Sequence, residues 1–199
     1  VQRTVIDKSQ LRKQIRQQRR TLTPQQRRDA ARDLASLIGM TPAFRRARKI
    51  AGYMACDGEI DLQPVITQTW RQSKRFYLPI LHAPVFNRMW FGHYQPGDKL
   101  VNNRYGIPEP QAARASAPEV LGLDLVLVPL VAFDLQGNRL GMGGGFYDRT
   151  FAYLLRRKVW RKPLLVGVAY EFQQVSQLPC EAWDVPLCGV ITEKQVHWF

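Results

Sequence analysis

The chain has 199 residues, 45% hydrophobic and 23% charged, which suits one globular domain and argues against intrinsic disorder. No run approaches the roughly 20 apolar residues of a membrane span, and the basic, Gln-rich start lacks the apolar core of a signal peptide, so a soluble, cytoplasmic chain is expected. The net charge of +13 favours anionic partners such as nucleotides, phosphorylated metabolites, polyglutamate tails or RNA.

That charge is unevenly placed. Residues 1–50 hold 14 basic against 3 acidic residues, a net +11, and the remainder carries only +2. Cys56, Cys180 and Cys188 show no C-x-x-C spacing and read as reduced thiols, and His82, His93 and His197 show no metal-binding H-E-x-x-H spacing.

In chain order, residues 7–20 place Leu11 and Ile15 four apart among basic residues, a thin apolar stripe on a helix. Thr23-Pro24-Gln25-Gln26 is a capping-box start for a second helix, which Gly39 should end. Thr41-Pro42 opens a short third helix, and residues 50–55 read as a first buried strand. A loop at Asp57-Gly58-Glu59 precedes a helix over 61–73 and strands over 76–81 and 89–94. The Pro- and Ala-rich residues 107–118 read as a surface connection. Residues 125–130 form a continuous apolar run, as in a strand covered on both faces. A helix over 146–158 leads to a strand over 164–169, a strand–helix–strand unit of a parallel sheet, and a last short strand is expected over 189–192. The expectation is a single-domain, three-layer α/β/α fold with a mainly parallel open sheet, in which a basic helical arm, residues 1–48, packs on a body of residues 49–199.

The densest chemical signal is the segment 139–149, RLGMGGGFYDR, which follows a buried strand and opens a helix, the position where open α/β sheets bind ligands. Its glycines let backbone N–H groups curl around an anion, and Arg139 and Arg149 can neutralise phosphate oxygens. The P-loop is excluded because no G-K-[ST] follows, and the dinucleotide fingerprint because Phe146 stands where its last glycine belongs. Glycines in a tight turn are the alternative to a phosphate cradle. Asp148 either complements the helix dipole or binds Mg²⁺ held by a nucleotide.

The run from Pro129-Leu130-Val131-Ala132-Phe133-Asp134 through Gly137-Asn138-Arg139-Leu140-Gly141 to Gly143-Gly144-Gly145-Phe146-Tyr147-Asp148-Arg149 resembles the signature of the 5-formyltetrahydrofolate cyclo-ligase, or methenyltetrahydrofolate synthetase, family. The likeness extends, in order, to Lys8-Ser9-Gln10-Leu11-Arg12, to Met54 and Gly58-Glu59-Ile60-Asp61, to Tyr105-Gly106-Ile107-Pro108-Glu109-Pro110 and to Asp184-Val185-Pro186-Leu187.

The resemblance implies a ligase of one-carbon metabolism that closes 5-formyltetrahydrofolate to 5,10-methenyltetrahydrofolate. The γ-phosphoryl of ATP passes to the formyl oxygen, N10 attacks the activated carbon, and ADP and phosphate leave, with Mg²⁺ present. It further implies that Lys8, Ser9, Gln10, Leu11 and Arg12, together with Arg139, Leu140, Gly141, Met142, Gly143, Gly144, Gly145, Phe146 and Tyr147, bind ATP. Met54, Glu59 and the stretch from Met142 through Tyr147 would bind the folate, with or without a polyglutamate tail. Arg139 would stabilise charge on the transferring phosphoryl, Tyr147 would position or polarise the formyl group, and Asp148 and Asp184 would hold Mg²⁺. Phe146 stands where Tyr is frequent, Gly144 where some members carry Lys, and Cys188 where a second Asp is common, which shifts phosphate neutralisation towards Arg139, Lys8, Arg12 and Mg²⁺.

Two other readings compete. A basic RNA-binding protein without catalysis would use the arm, but no Phe, Tyr or Trp occurs before Phe44 to stack on bases, so no specific nucleic acid is expected. Another α/β enzyme acting on a phosphorylated metabolite would need fewer cations than a triphosphate does. Trp90, Phe91, Tyr94 and Tyr105 could floor a pterin pocket or simply belong to the core. A monomer is expected.

Overall fold

Three helix starts are written in local hydrogen bonds. The computed structural model describes residues 7–81, 88–111, 115–117, 121–156 and 162–199. Helix α1 (Lys8–Thr21) begins where Asp7 accepts from the Ser9 and Gln10 amides. Helix α2 (Pro24–Met40) begins in the expected capping box, with Gln26 N to Thr23 Oγ1 at 3.2 Å and Thr23 N to Gln26 Oε1 at 2.8 Å. Helix α3 (Pro42–Arg46) is capped by Thr41.

Gly39 does not end α2, which runs on to Met40. A Cβ at Gly39 would stand 2.3 Å from Gln68 Nε2, so this glycine serves the close approach of α2 to helix α4 (Gln63–Arg71) rather than a helix stop. The first strand is also shorter than expected. β1 (Lys49–Ala51) is followed by Gly52, whose amide still donates to the Tyr77 carbonyl at 3.0 Å and where a Cβ would lie 2.6 Å from the Phe76 ring. Helix α4 starts later than residue 61, since Asp61 accepts from the Gln63 amide in a turn before it.

The remaining strands are β2 (Arg75–Leu81), β3 (Met89–Tyr94), β4 (Leu100–Asn102), β5 (Pro108–Pro110), β6 (Ala115–Ser116), β7 (Leu125–Pro129), β8 (Ala132–Phe133), β9 (Arg139–Leu140), β10 (Leu164–Val168), β11 (Gly189–Ile191) and β12 (Val196–Trp198). The main sheet has the order β12-β11-β10-β7-β1-β2-β3-β6. The run β11-β10-β7-β1-β2 is parallel, and the two edges are antiparallel. The surface connection thus includes β5, paired with β4, and β6, which closes one sheet edge; β12 closes the other. Helix α5 (Phe146–Phe151) passes into a 3₁₀ turn over Ala152–Arg156. The expected end of that helix at Lys158, and His82 and Pro118, lie outside the described residues.

Period-two alternation divides the core. Ile50, Phe76, Leu78, Leu125, Leu127, Val166 and Ile191 face α2, α3 and α4. Ala51, Tyr77, Val126, Val128, Leu165 and Val190 face Phe151 and its neighbours on the opposite side. The result is the expected α/β fold with a mainly parallel central sheet. From β1 the chain moves to β2 on one side and later returns to β7 on the other, so the β1/β7 border is a topological switch point, where a crevice opens at the carboxyl ends of the strands.

Candidate active site

Both loops leaving that border carry predicted site residues. After β7 the chain forms the β8–β9 hairpin, whose turn is built on Asp134. This fully buried carboxylate accepts from the Gln136, Asn138 and Leu178 amides and from Asn138 Nδ2, which fixes the base of the glycine segment.

The glycine segment rises from that base. Gly141, Met142, Gly143 and Gly144 are exposed, and Gly143 and Gly145 have φ values of 98° and 60°, which only glycine adopts freely. Among the described residues, the amides of residues 142–145 donate to no protein acceptor. That leaves these N–H groups without an acceptor among the described residues and available to an anion. Phe146 meets Tyr105 edge-on with ring centroids 6.4 Å apart. Of the four aromatics offered for a pterin pocket, Tyr105 reaches this loop, whereas Phe91 is fully buried in the core.

Arg139 lies beneath the loop, its side chain 7% exposed. Its guanidinium donates to the Asp148 carboxylate and to the Val185 carbonyl, while Val185 N donates 3.1 Å to the same Asp148 oxygen. Asp148 is therefore an ion-pair partner of Arg139, a role beyond the helix or Mg²⁺ roles considered from spacing. The Val185 link also brings Asp148 against the residue that follows Asp184. Asp184 accepts from the Glu181 amide at 2.9 Å. Among the described residues, no group of three or more His, Cys, Asp or Glu is arranged to hold a metal ion by itself.

Helix α1 reaches this loop. Leu11 packs on Ala132, Leu140 and Leu178, and Arg12 Nε donates 2.8 Å to the Gly141 carbonyl. Lys8 is half-buried in the first turn of α1, one turn before Arg12. Ser9 and Gln10 are exposed and give their amides to Asp7.

The loop after β1 holds the other residues. A cleft of about 990 Å³ opens between α2, α4 and this loop, lined by Arg27, Met54, Asp57, Glu59, Gln68 and Arg71 among others. The glycine segment does not line it; the two halves are joined through α1, whose Arg12 bonds Gly141 and whose Arg16, Arg19 and Arg20 bind Asp57. Burial, then the charge of Glu59, hold the Tyr147 phenol well above its ordinary range, so it is a protonated donor at neutral pH. Burial likewise raises the Glu59 carboxyl, against the pull of the Cys56 amide and Arg19. Cys56, pushed up to about 12 by burial and by Glu59, is a neutral thiol that donates to that carboxylate.

Asp57 is the residue that sequence reasoning missed. In the left-handed region at φ 47°, it takes Arg16 Nε at 2.5 Å, Arg20 Nη2 at 2.5 Å and Arg19 Nη2 at 3.3 Å. One signal existed: Arg19 continues the Leu11, Ile15 stripe at a four-residue interval, where a solvent-facing charge does not belong.

Residues 5–193 match the 5-formyltetrahydrofolate cyclo-ligase family. The 5-formyltetrahydrofolate cyclo-ligase of Escherichia coli K12 is 43% identical over 182 residues, covering 92% of this chain and 98% of that protein. Its counterpart in Haemophilus influenzae is 39% identical over 184 residues, covering 92% and 96%. The solution structure of the Aquifex aeolicus 5,10-methenyltetrahydrofolate synthetase superposes with a TM-score of 0.79 at 36% identity, covering 96% of this chain and 92% of that one. The Mycoplasma pneumoniae 5,10-methenyltetrahydrofolate synthetase gives 0.71 at 25% identity, covering 95% and 100%. With likeness in sequence and in fold along nearly its whole length, the chain belongs to the 5-formyltetrahydrofolate cyclo-ligase family, a family of ligases.

Proposed function

We propose that this protein uses ATP to close 5-formyltetrahydrofolate to 5,10-methenyltetrahydrofolate. The observation that carries the reading is the junction at the switch point: the Glu59 loop after β1 and the glycine segment after β9 flank it, and α1 is hydrogen-bonded to both. A reaction that joins a polyphosphate to a folate needs two such binding halves around one reacting centre.

In this reading the exposed amides of the glycine segment, with Lys8 and Arg12, bind the ATP phosphates, and Ser9, Gln10 and Leu11 set the helix turn that presents them. Met54 and Glu59 hold the folate, Glu59 accepting hydrogen bonds from its N–H donors. Tyr147, kept protonated, donates to the formyl group and orients it. The formyl oxygen takes the γ-phosphoryl of ATP and releases ADP. N10 then attacks the formyl carbon, the C–O bond breaks with its electron pair going to the departing phosphate, and the methenyl bridge forms. Arg139 swings its guanidinium from Asp148 towards the charge spread over the phosphoryl oxygens.

Mg²⁺ fits the donor set. Asp148 Oδ2 and Asp184 Oδ1 each accept no hydrogen bond from a described residue, and two carboxylates completed by nucleotide oxygens and water suit a small, hard cation. Asp148 and Asp184 would hold it, and it would supply charge neutralisation on the phosphates. The same reading takes the chain as one cytoplasmic, monomeric domain with α1 as a wall of the site.

The test is the absorbance of the methenyl product when the purified protein is mixed with 5-formyltetrahydrofolate and Mg²⁺, with and without ATP. An ATP-dependent rise with equimolar ADP is expected. Folded protein that gives neither product would overturn the reading.

A further inference from the structure

Leu11, Ile15 and Arg19 share one face of α1, so the stripe by which the helix packs ends in a guanidinium. Arg19 is 1% exposed. A charge so placed costs several kcal/mol in desolvation unless partners offset it. Its partners come from the segments that follow both strands bordering the switch point. Nη2 lies 3.3 Å from Asp57 Oδ2, and Nη1 lies 3.5 Å from the Leu130 carbonyl just past β7 and 4.0 Å from Glu59 Oε1. Nε is buried without an acceptor among the described residues.

Arg16 and Arg20 hold Asp57 from the surface at shorter distances, so the attachment of α1 to the β1 loop does not need a third, buried cation. What Arg19 adds is charge beside Glu59. Arg19 from α1 opposes the burial of Glu59, Asp57 from the same loop adds to it, and Cys56, Tyr53 and Tyr147 from α5 are coupled to it. Arg27 and Arg28 of α2 and Arg71 of α4 line the same cleft, but among the described residues Arg19 is the cation within 4.0 Å of the Glu59 carboxylate.

We propose that Arg19 is a positioning residue for the folate half of the site, its buried guanidinium set 4.0 Å from Glu59 to hold that carboxylate as the acceptor in the crevice from across the switch point. The proposal rests on Glu59 being the acceptor for the folate. A carboxylate offers acceptors on both oxygens, whereas the protonated acid gives one of them over to a donor. Burial drives Glu59 towards the acid, and Arg19 opposes it. Because Arg19 shares a helix with Arg12, the element that reaches the glycine segment also sets the charge state of the folate acceptor.

The experiment measures KM for 5-formyltetrahydrofolate and for ATP across pH, with a ¹³C-NMR titration of the Glu59 carboxyl, in wild type, Arg19→Met, Arg19→Gln, Arg19→Lys and Glu59→Gln. Arg19→Met is expected to raise the folate KM about tenfold at neutral pH while the ATP KM stays within about twofold. The Glu59 titration, and with it the acid limb of the folate KM profile, moves upward. Arg19→Gln keeps hydrogen-bond donors but not the charge, so it shows the same shift and serves if Arg19→Met does not fold. Arg19→Lys restores the titration but only part of the KM, since an ammonium cannot span Asp57, Leu130 and Glu59 together. In a Glu59→Gln background, loss of Arg19 adds nothing further to the folate KM. The proposal is overturned if both KM values rise together with the Glu59 titration unmoved, or if the effect persists undiminished in Glu59→Gln. A wild type that turns over no folate refutes the proposed function instead, and the titration still judges Arg19.

Discussion

The two halves of the site are built on opposite principles. The loop after β1 is charge-locked: the Glu59 side chain is 10% exposed and Asp57 17%, and three arginines of one helix converge on Asp57. The segment after β9 is open backbone, with Met142 51% exposed and the flanking glycines at the surface. A ring with a few donors is best met by a fixed acceptor, because a misplaced buried charge is costly. A polyphosphate is met by many exposed N–H groups, which need not be buried before the ligand arrives, with the Arg139 guanidinium held beneath them. Helix α1 joins the two, with Arg12 on the open half and Arg16, Arg19 and Arg20 on the locked one.

Breaking the open half at its base should give the largest effect. Arg139→Ala removes the cation offered to the phosphoryl group and strands Asp148 and the Val185 carbonyl, so kcat should fall about 10²–10³-fold in the methenyl assay. The locked half should respond in stability. Burial raises the Asp57 carboxyl, but hydrogen bonds and charge from Arg16 and Arg20 more than reverse this and hold it below the ordinary range. A depressed carboxylate stabilises the fold above its unfolded pKa, and the gain disappears as pH falls through the folded one. Asp57→Asn should therefore cost about 2 kcal/mol in urea unfolding at pH 7, discounted for partial exposure, and progressively less as pH falls below the unfolded pKa towards the folded one.

Smaller changes sharpen the contrast. Gly145 has φ 60° and a Cβ there would sit 2.7 Å from Arg149 Nη1, so Gly145→Ala should cost about 1 kcal/mol of strain and raise the KM for ATP more than that for the folate. Glu59 should show a linkage opposite to that of Asp57. Its carboxyl is raised by burial, so ionisation costs stability as pH climbs from the unfolded pKa through the folded one. Glu59→Gln should be slightly more stable than wild type at pH 7 and equal to it near pH 3, while losing folate affinity. A variant destabilised at both pH values would show that Glu59 holds the loop together rather than being held by it.

Much of this was legible because it is local. The capping pairs at Thr23 and Thr41 span three residues, and the run 125–129 carries its own two-sided burial. Fold class, helix starts and the glycine segment follow from such patterns, and ordered motifs pointed to the family. The short strands β6, β8, β9 and β12, with two or three residues each, have too little pattern to announce themselves. Gly39 misled for a related reason, since a glycine that ends a helix and one that admits a neighbouring helix look alike in one dimension.

The sequence by itself determined the alternation of helix and strand, the basic first helix and the place of the glycine turn, all set by interactions within a few residues. Only the tertiary structure decided how the two halves of the site are joined. The contact from Arg12 to Gly141 spans 129 residues, and that from Arg19 to Leu130 spans 111. No propensity encodes such pairs. They exist because β1 and β7 lie side by side at the switch point, and α1, packed by its apolar stripe, carries its guanidinium groups to the loops that leave both strands.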